Sequence, residues 1–281
     1  MVNVTFLGTG GAFSSGRRTN LALLIEGPGF RMLVESGPVV VNQLDRAGLK
    51  ASDIDLLFAT HAHGDHVLGF PMLALNRMGA GSPLHVYAGE STIAALRILS
   101  ALSFSSLSSG RDDLIWHVLS EEGPDEVYWE TGVRLRTVVP DHPPGTPTLS
   151  ARWDFDGGAS VTFITDTRPG LGSVELARDS DILIHEASFS SKLQPEANPG
   201  AHYHSTAEQA GDIARQANCT QLALVHLGPE IGESPDVLIE EAQADTDLEV
   251  IVPEDGERVT PLMGREECAY VFFDDGIARC A

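Results

Sequence analysis

Thr60-His61-Ala62-His63-Gly64-Asp65-His66 follows directly on the apolar run Ile54-Asp55-Leu56-Leu57-Phe58-Ala59. It gathers three imidazoles and a carboxylate at the end of an expected strand. Alternate side chains of an extended chain point the same way, so His61 and His63 can grip one ion together. Gly64 lets the chain turn. Asp65 and His66 then fall at the start of an expected helix, Val67 to Met78, aimed at a neighbouring ion. One metal would not need all four. The spacing points to two divalent metal ions held by N and O donors, a set that suits zinc, with manganese or iron as alternatives. Packing alone gives no reason for such clustering.

The chain has 281 residues, enough for a sizeable core, and 42% of them are hydrophobic. With 40 acidic residues against 18 basic ones, the formal net charge is −22. Such a chain repels a polyanion at long range unless a local basic patch offsets it, and Arg17-Arg18 is the only tight basic pair. Cys219, Cys268 and Cys280 are an odd, widely spaced set, which reads as buried or free thiols in a reducing compartment. Met1 to Leu7 alternates like a strand and has no basic or long apolar region of a signal peptide. No apolar run is long enough to cross a bilayer. A cytoplasmic protein without membrane contact is expected.

The first strand, Val2 to Leu7, runs into Gly8-Thr9-Gly10-Gly11. Leu21 to Glu26 and Phe30 to Glu35 flank the turn signal Gly27-Pro28-Gly29. Pro38 to Gly48 reads as a helix with Pro near its start and Gly near its end. Further helices are expected over Ser91 to Leu102 and Ser205 to Ala217. Strands are expected at Leu84 to Tyr87, Leu114 to Leu119, Ser160 to Ile164, Asp181 to His185, Leu222 to Val225 and Leu248 to Val252. The serine-rich Ser103 to Gly110 reads as an exposed loop. No repeat or linker divides the chain, so 1–281 is expected to form a single domain. Strand-rich halves interleaved with helices suggest two sheets packed face to face with helices outside.

A two-metal site needs more donors, and each further candidate follows an apolar strand. His142 comes after Val138-Val139-Pro140-Asp141, Asp166 after Val161-Thr162-Phe163-Ile164-Thr165, and His226 after Leu222-Ala223-Leu224-Val225. With these residues the chain resembles the metallo-β-lactamase fold superfamily, near its ribonuclease Z, phosphodiesterase and arylsulfatase branch. The likeness spans Phe6-Leu7-Gly8-Thr9-Gly10, the HxHxDH motif, His142, Thr165-Asp166-Thr167 and His226. Ile184-His185-Glu186-Ala187-Ser188-Phe189 is similar to the branch's HEATF element, and His204-Ser205-Thr206 to its GHST element.

The resemblance implies an α/β fold, a four-layer αββα sandwich with the metal site at one edge of the sheets. It implies that His61, His63 and His142 hold one ion, that Asp65, His66 and His226 hold the other, and that Asp166 bridges them. Two departures stand out. Glu35-Ser36-Gly37-Pro38 occupies the place of the branch's Asp-Cys-Gly-Glu, and His204 follows Ala201-His202-Tyr203 rather than a glycine. The short stretch from His142 to Asp166 also leaves no room for the tRNA-clamping arm that ribonuclease Z carries there.

The function expected is a binuclear metal-dependent hydrolase of a small, even cyclic, phosphodiester. Two ions would lower the pKa of a shared water and polarise the scissile group. Asp65 would orient that water. His204, steadied by Glu186, would stabilise the transition state or protonate the leaving oxygen. Arylsulfatase, lactonase and β-lactamase-like hydrolysis are alternatives within the enzyme class, and a non-hydrolytic cofactor-binding or carrier protein is the alternative outside it. A small-molecule substrate is expected in preference to tRNA, with a homodimer as one assembly. His85 and His117 read as structural or surface residues, and His185 as a strand residue facing away from Glu186.

Overall fold

A computed structural model describes residues 1–13, 16–108, 111–129 and 131–262, and the backbone of 270–272 and 278–280. The first half runs β1 (Asn3–Gly8), β2 (Ala22–Gly27), β3 (Phe30–Val34), α1 (Val40–Arg46), β4 (Leu56–Phe58), α2 (Gly64–Val67), α3 (Phe70–Asn76), β5 (Leu84–Gly89), α4 (Glu90–Ser103), α5 (Ser105–Ser108) and β6 (Leu114–Leu119). The second runs β7 (Asp125–Trp129), β8 (Val133–Val138), β9 (Ser150–Phe155), β10 (Ser160–Ile164), α6 (Leu171–Ala177), β11 (Ile182–Glu186), α7 (Ala207–Gln216), β12 (Gln221–Val225), α8 (Pro235–Gln243), β13 (Glu249–Ile251) and β14 (Arg258–Val259).

Two seven-stranded sheets result, ordered β14-β1-β2-β3-β4-β5-β6 and β13-β12-β11-β10-β9-β8-β7. Their facing sides share one core that includes Phe6, Ile25, Phe58, Trp153, Phe163 and Ile184. The alternate residues of the first sheet, such as Leu24, Leu33 and Leu57, pack under α1, α3 and α4. Those of the second, such as Leu183 and Leu222, pack under α6, α7 and α8. The expected αββα sandwich is the observed one.

The strands that matter for the site are parallel. β4 lies between β3 and β5, and β11 between β10 and β12, all with parallel neighbours. Strands covered on both faces are buried along their whole length, as β10, β11 and β12 are, and are mostly apolar. Parallel strands also end together, so their carboxyl ends deliver side chains to one rim.

Two local expectations change. The helix expected over Val67 to Met78 breaks after Val67, because Gly69 donates its N–H to Ser36 O and Pro71 begins a fresh turn. A Cβ on Gly69 would lie 2.0 Å from Gly37 O, so only glycine permits this approach. The loop expected over Ser103 to Gly110 is instead the end of α4 followed by α5, drawn inward by the buried Leu107; residues 109 and 110 lie outside the described residues. Of the cysteines, Cys219 is a half-buried free thiol, and Cys268 lies outside the described residues. No helix among the described residues is long and apolar enough to cross a membrane.

α7 and α8 touch at Gly211, where a Cβ would lie 2.1 Å from Ala242 O. Gly211→Ala is expected to destabilise the fold by about 2 kcal/mol through overpacking. Urea unfolding measures this, and an unchanged midpoint would show that the contact yields.

Candidate metal centre

The three strand ends and two loops bring seven groups to one rim of the sandwich. His61 and His63 leave β4, Asp166 follows β10, His226 follows β12, and His142 sits in the connection from β8 to β9. His61, His63, His142 and Asp166 offer donor atoms within 4.8 Å of one another, as do Asp65, His66 and His226. Asp166 joins both sets: its Oδ2 lies 3.8 Å from His61 Nε2 and 3.6 Å from His66 Nε2, and its Oδ1 3.5 Å from His226 Nε2.

Hydroxyl groups fix the imidazole tautomers. Thr60 Oγ1 donates to Glu35 Oε1 at 2.5 Å, so its 2.8 Å contact with His61 Nδ1 must be an N–H donated by the ring. Thr148 Oγ1 donates to Thr146 O at 2.9 Å and therefore accepts from His142 Nδ1 at 2.8 Å. Ser188 Oγ donates to Glu186 Oε2 at 2.8 Å and accepts from His226 Nδ1 at 2.9 Å. Each relay leaves the opposite nitrogen, Nε2, with a bare lone pair turned to the cluster, as a metal ligand requires.

The electrostatics suit a cation. His61 Nε2 and His63 Nδ1 face each other at 3.0 Å. Burial pushes the His61 pKa well down, helped by His66, and brings His142 down to about 4, so both rings are neutral. Burial would raise Asp65 and Asp166, but the neighbouring His226 and His66 rings outweigh it and hold both carboxylates ionised. Burial would lower the His66 pKa, yet Glu35 and Asp166 raise it well above its ordinary value. Both ring nitrogens of His66 and Asp166 Oδ1 are buried with no hydrogen-bond partner among the described residues. Neutral His61 and His142, ionised carboxylates and orphaned buried donor atoms fit divalent metal ions, which would take the place of the proton on His66.

The departures noted in sequence find physical roles. Glu35 is fully buried and places Oε1 3.2 Å from His66 Nδ1 while receiving the Thr60 hydroxyl. Gly37 lies flat against the HxHxDH turn, since a Cβ there would stand 2.1 Å from Asp65 O. Tyr203, in the place of a glycine, adopts the left-handed conformation with φ of 60°; Glu35 and His226 do so at 69° and 57°. Non-glycine residues in this region carry strain that clusters at functional sites.

Beside the cluster, His204 Nδ1 lies 3.4 Å from Glu186 Oε1 and 3.2 Å from Ser188 Oγ. Burial works against its charge, yet the bond and charge of Glu186, then Asp166 and Asp65, raise its pKa to about 9. His204 ends just before α7, whose start is fixed by the Thr206–Gln209 capping box. Ser205 N also donates to Glu186 Oε1, at 2.6 Å. The remaining histidines lie apart. His85 and His117 bond each other at 2.9 Å beneath Tyr87, His185 turns into the helix-covered side of β11, and His202 stacks on Phe189. Thr60, Thr148 and Ser188 were not anticipated; their one signal was a hydroxyl residue placed next to or near a ligand.

An αββα sandwich with this rim of imidazoles and carboxylates defines a metal-dependent hydrolase of the metallo-β-lactamase fold. The chain belongs to the family described as anti-Pycsar protein Apyc1, which matches residues 2–230. Ribonuclease Z of Natronomonas pharaonis is 30% identical, over 92% of this chain and 97% of that protein. Among solved structures, the metallo-β-lactamase fold protein YhfI from Bacillus subtilis superposes with a TM-score of 0.75 at 21% identity, over 92% of this chain and 98% of the other. The short form of human tRNase Z gives 0.74 at 24%, over 92% and 99%.

These relatives overturn one expectation. A small-molecule substrate in preference to tRNA was read from net charge and the missing arm, whereas the chain aligns along nearly its whole length with ribonuclease Z. Net charge fails here because it is an average. Arg17, Arg31, Arg46 and Arg258, distant in sequence, line one cavity of about 650 Å³ outside β1 and β2 together with Asp255 and Glu26, the latter paired with Arg31 and Arg258.

Two outcomes test the site. Glu35→Gln is expected to weaken zinc binding by about 10- to 100-fold, measured by chelator competition; unchanged affinity would remove Glu35 from the support of His66. In the metal-free protein His204 is expected to titrate at about 9, followed by its Cε1 proton in NMR, and Glu186→Gln to lower that value. Folding raises this pKa above its ordinary 6.5, so the pair's stabilisation is full below pH 6.5 and lost as pH rises through about 9.

Proposed function

We infer that the chain hydrolyses a phosphodiester with two divalent ions bound, zinc being the ion the nitrogen and oxygen donors suit best. The observation that carries this reading is the set of hydroxyl relays that turn the bare Nε2 atoms of His61, His142 and His226 toward Asp166. His61, His63 and His142 would hold one ion, Asp65, His66 and His226 the other, with Asp166 between them. When bound, such ions supply positive charge for a developing oxyanion and acidify a water.

The residues around them have separable tasks. Asp65 Oδ2 faces His66 Nε2 and His226 Nε2 at 3.2 and 3.3 Å, which leaves Oδ1 to accept a hydrogen bond from the attacking water. His204 carries a proton at neutral pH because Glu186 holds it so, and its second ring N–H is free to donate to the leaving oxygen. Glu186 stays ionised: burial opposes this, but the bond and charge of His204 prevail. Intact donors and an acid on the same rim favour turnover over a carrier role.

The name of the curated relatives makes an RNA phosphodiester the first substrate to test, and a cyclic nucleotide presents the same group within a ring. Zinc- or manganese-loaded protein is expected to cleave bis-p-nitrophenyl phosphate and at least one of a precursor tRNA and a cyclic nucleotide. Turnover of a sulfate ester or a lactone with every phosphodiester left intact would overturn the reading. His204→Ala should lower kcat by about 10²- to 10⁴-fold with metal content retained, and Asp166→Ala should lose metal as well. Full activity in the His204 variant would remove it from the chemistry.

A further inference from the structure

Arg168 follows the ligand-bearing strand end and stands outside every role given above. Its backbone N–H donates to Asp141 O at 3.0 Å, tying the Asp166 segment to the residue before His142. Its side chain turns the other way, to the segment before His204. Arg168 Nε donates to Gly200 O at 2.6 Å, and the guanidinium carbon lies 3.8 Å from the centre of the Tyr203 ring. Nη1 stands 3.5 Å from Asp141 Oδ2.

The turn it grips sets the place of His204. Pro199–His202 is a single 3-10 turn. Gly200 O also accepts Tyr203 N–H, and Pro199 O accepts His204 N–H. Tyr203 holds the left-handed conformation that aims the next residue inward. A tyrosine there costs conformational energy a glycine would not, and the stacked guanidinium offsets part of it. On its far side His204 is met by Glu186 and Ser188, which orient Nδ1. Within the turn Asn198 Oδ1 accepts Ala201 N–H and His202 stacks on Phe189, but neither ties the turn to the Asp141–His142 connection.

We propose that Arg168 is a positioning residue for His204: it clamps the Pro199–Tyr203 turn to the Asp141–His142 connection and so holds the proton donor at a fixed distance from the metal ligands. This rests on His204 protonating the leaving oxygen. Lysine cannot replace it, since an ammonium lacks the planar face that covers Tyr203 while donating sideways to Gly200 O.

A donor moved by about 1 Å loses most where the leaving group most needs its proton. Metal-loaded Arg168→Ala is therefore expected to hydrolyse diphenyl phosphate about a hundredfold more slowly than the parent, and bis-p-nitrophenyl phosphate only about threefold more slowly, with metal content unchanged. His204→Ala should show the same selectivity, and the double variant should be no slower than His204→Ala alone. Tyr203→Asn keeps a residue that tolerates the left-handed conformation and removes the ring. It should show the selectivity at smaller amplitude, and it serves if Arg168→Ala does not fold. In metal-free protein, the Cε1 proton of His204 should give one sharp NMR line that broadens in Arg168→Ala and Arg168→Lys. If His204→Ala slows both esters equally, proton donation by His204 fails and the clamp with it. If His204→Ala is selective but the Arg168 and Tyr203 variants slow both esters equally or neither, the clamp alone is wrong.

Discussion

The Asp166 carboxylate, ionised and almost wholly buried between two groups of imidazoles, is the constraint to which the rest of the structure answers. A charge in such a place is costly unless it is paired. Of its neighbours His61 and His142 are neutral, whereas the carboxylates around His66 overcome its burial and raise that ring's pKa well above the ordinary value. His61, His142 and His226 each turn a lone pair inward because a threonine or serine hydroxyl has claimed the other nitrogen. A protein arranged for its own stability would satisfy these atoms internally. Here they are left facing one another, an arrangement whose missing partner is positive charge.

The sandwich makes that arrangement reproducible. Parallel strands in the middle of each sheet end at one rim, and the apolar cores on both faces leave them no freedom to slide, since a one-residue shift would bury the wrong side chains. Where strand geometry alone cannot aim a side chain, the backbone takes up the left-handed conformation, at Glu35, Tyr203 and His226. Close glycine contacts at Gly37 and Gly69 seat the HxHxDH turn on the segment after β3. Rigidity of this kind is what holds reacting groups to the tolerances that catalysis needs.

Much of this was legible in the residues. The apolar runs before His61, Asp166 and His226 gave both the strands and the direction in which they deliver the candidate ligands, because strand end and candidate are adjacent in the chain. Glu186 and His204 were legible through motif alone, and their contact across a loop could not be read from spacing. Thr60, Thr148 and Ser188 were not legible: a hydroxyl becomes a tautomer switch only through the partner on its other side, as with Glu35 behind Thr60. α6 and α8 were missed because short helices against a sheet need few apolar residues, and packing rather than propensity holds them. The reading against tRNA rested on net charge, an average that says nothing of where charges gather: four arginines distant in sequence share one cavity with Glu26 and Asp255.

The most direct measurement is anomalous X-ray scattering at the zinc edge from crystals of the metal-loaded protein. Two peaks are expected, one amid His61, His63 and His142 and one amid Asp65, His66 and His226, with the Asp166 carboxylate between them. A single peak at the rim, or zinc bound elsewhere with this cluster bare, would contradict a paired-ion centre.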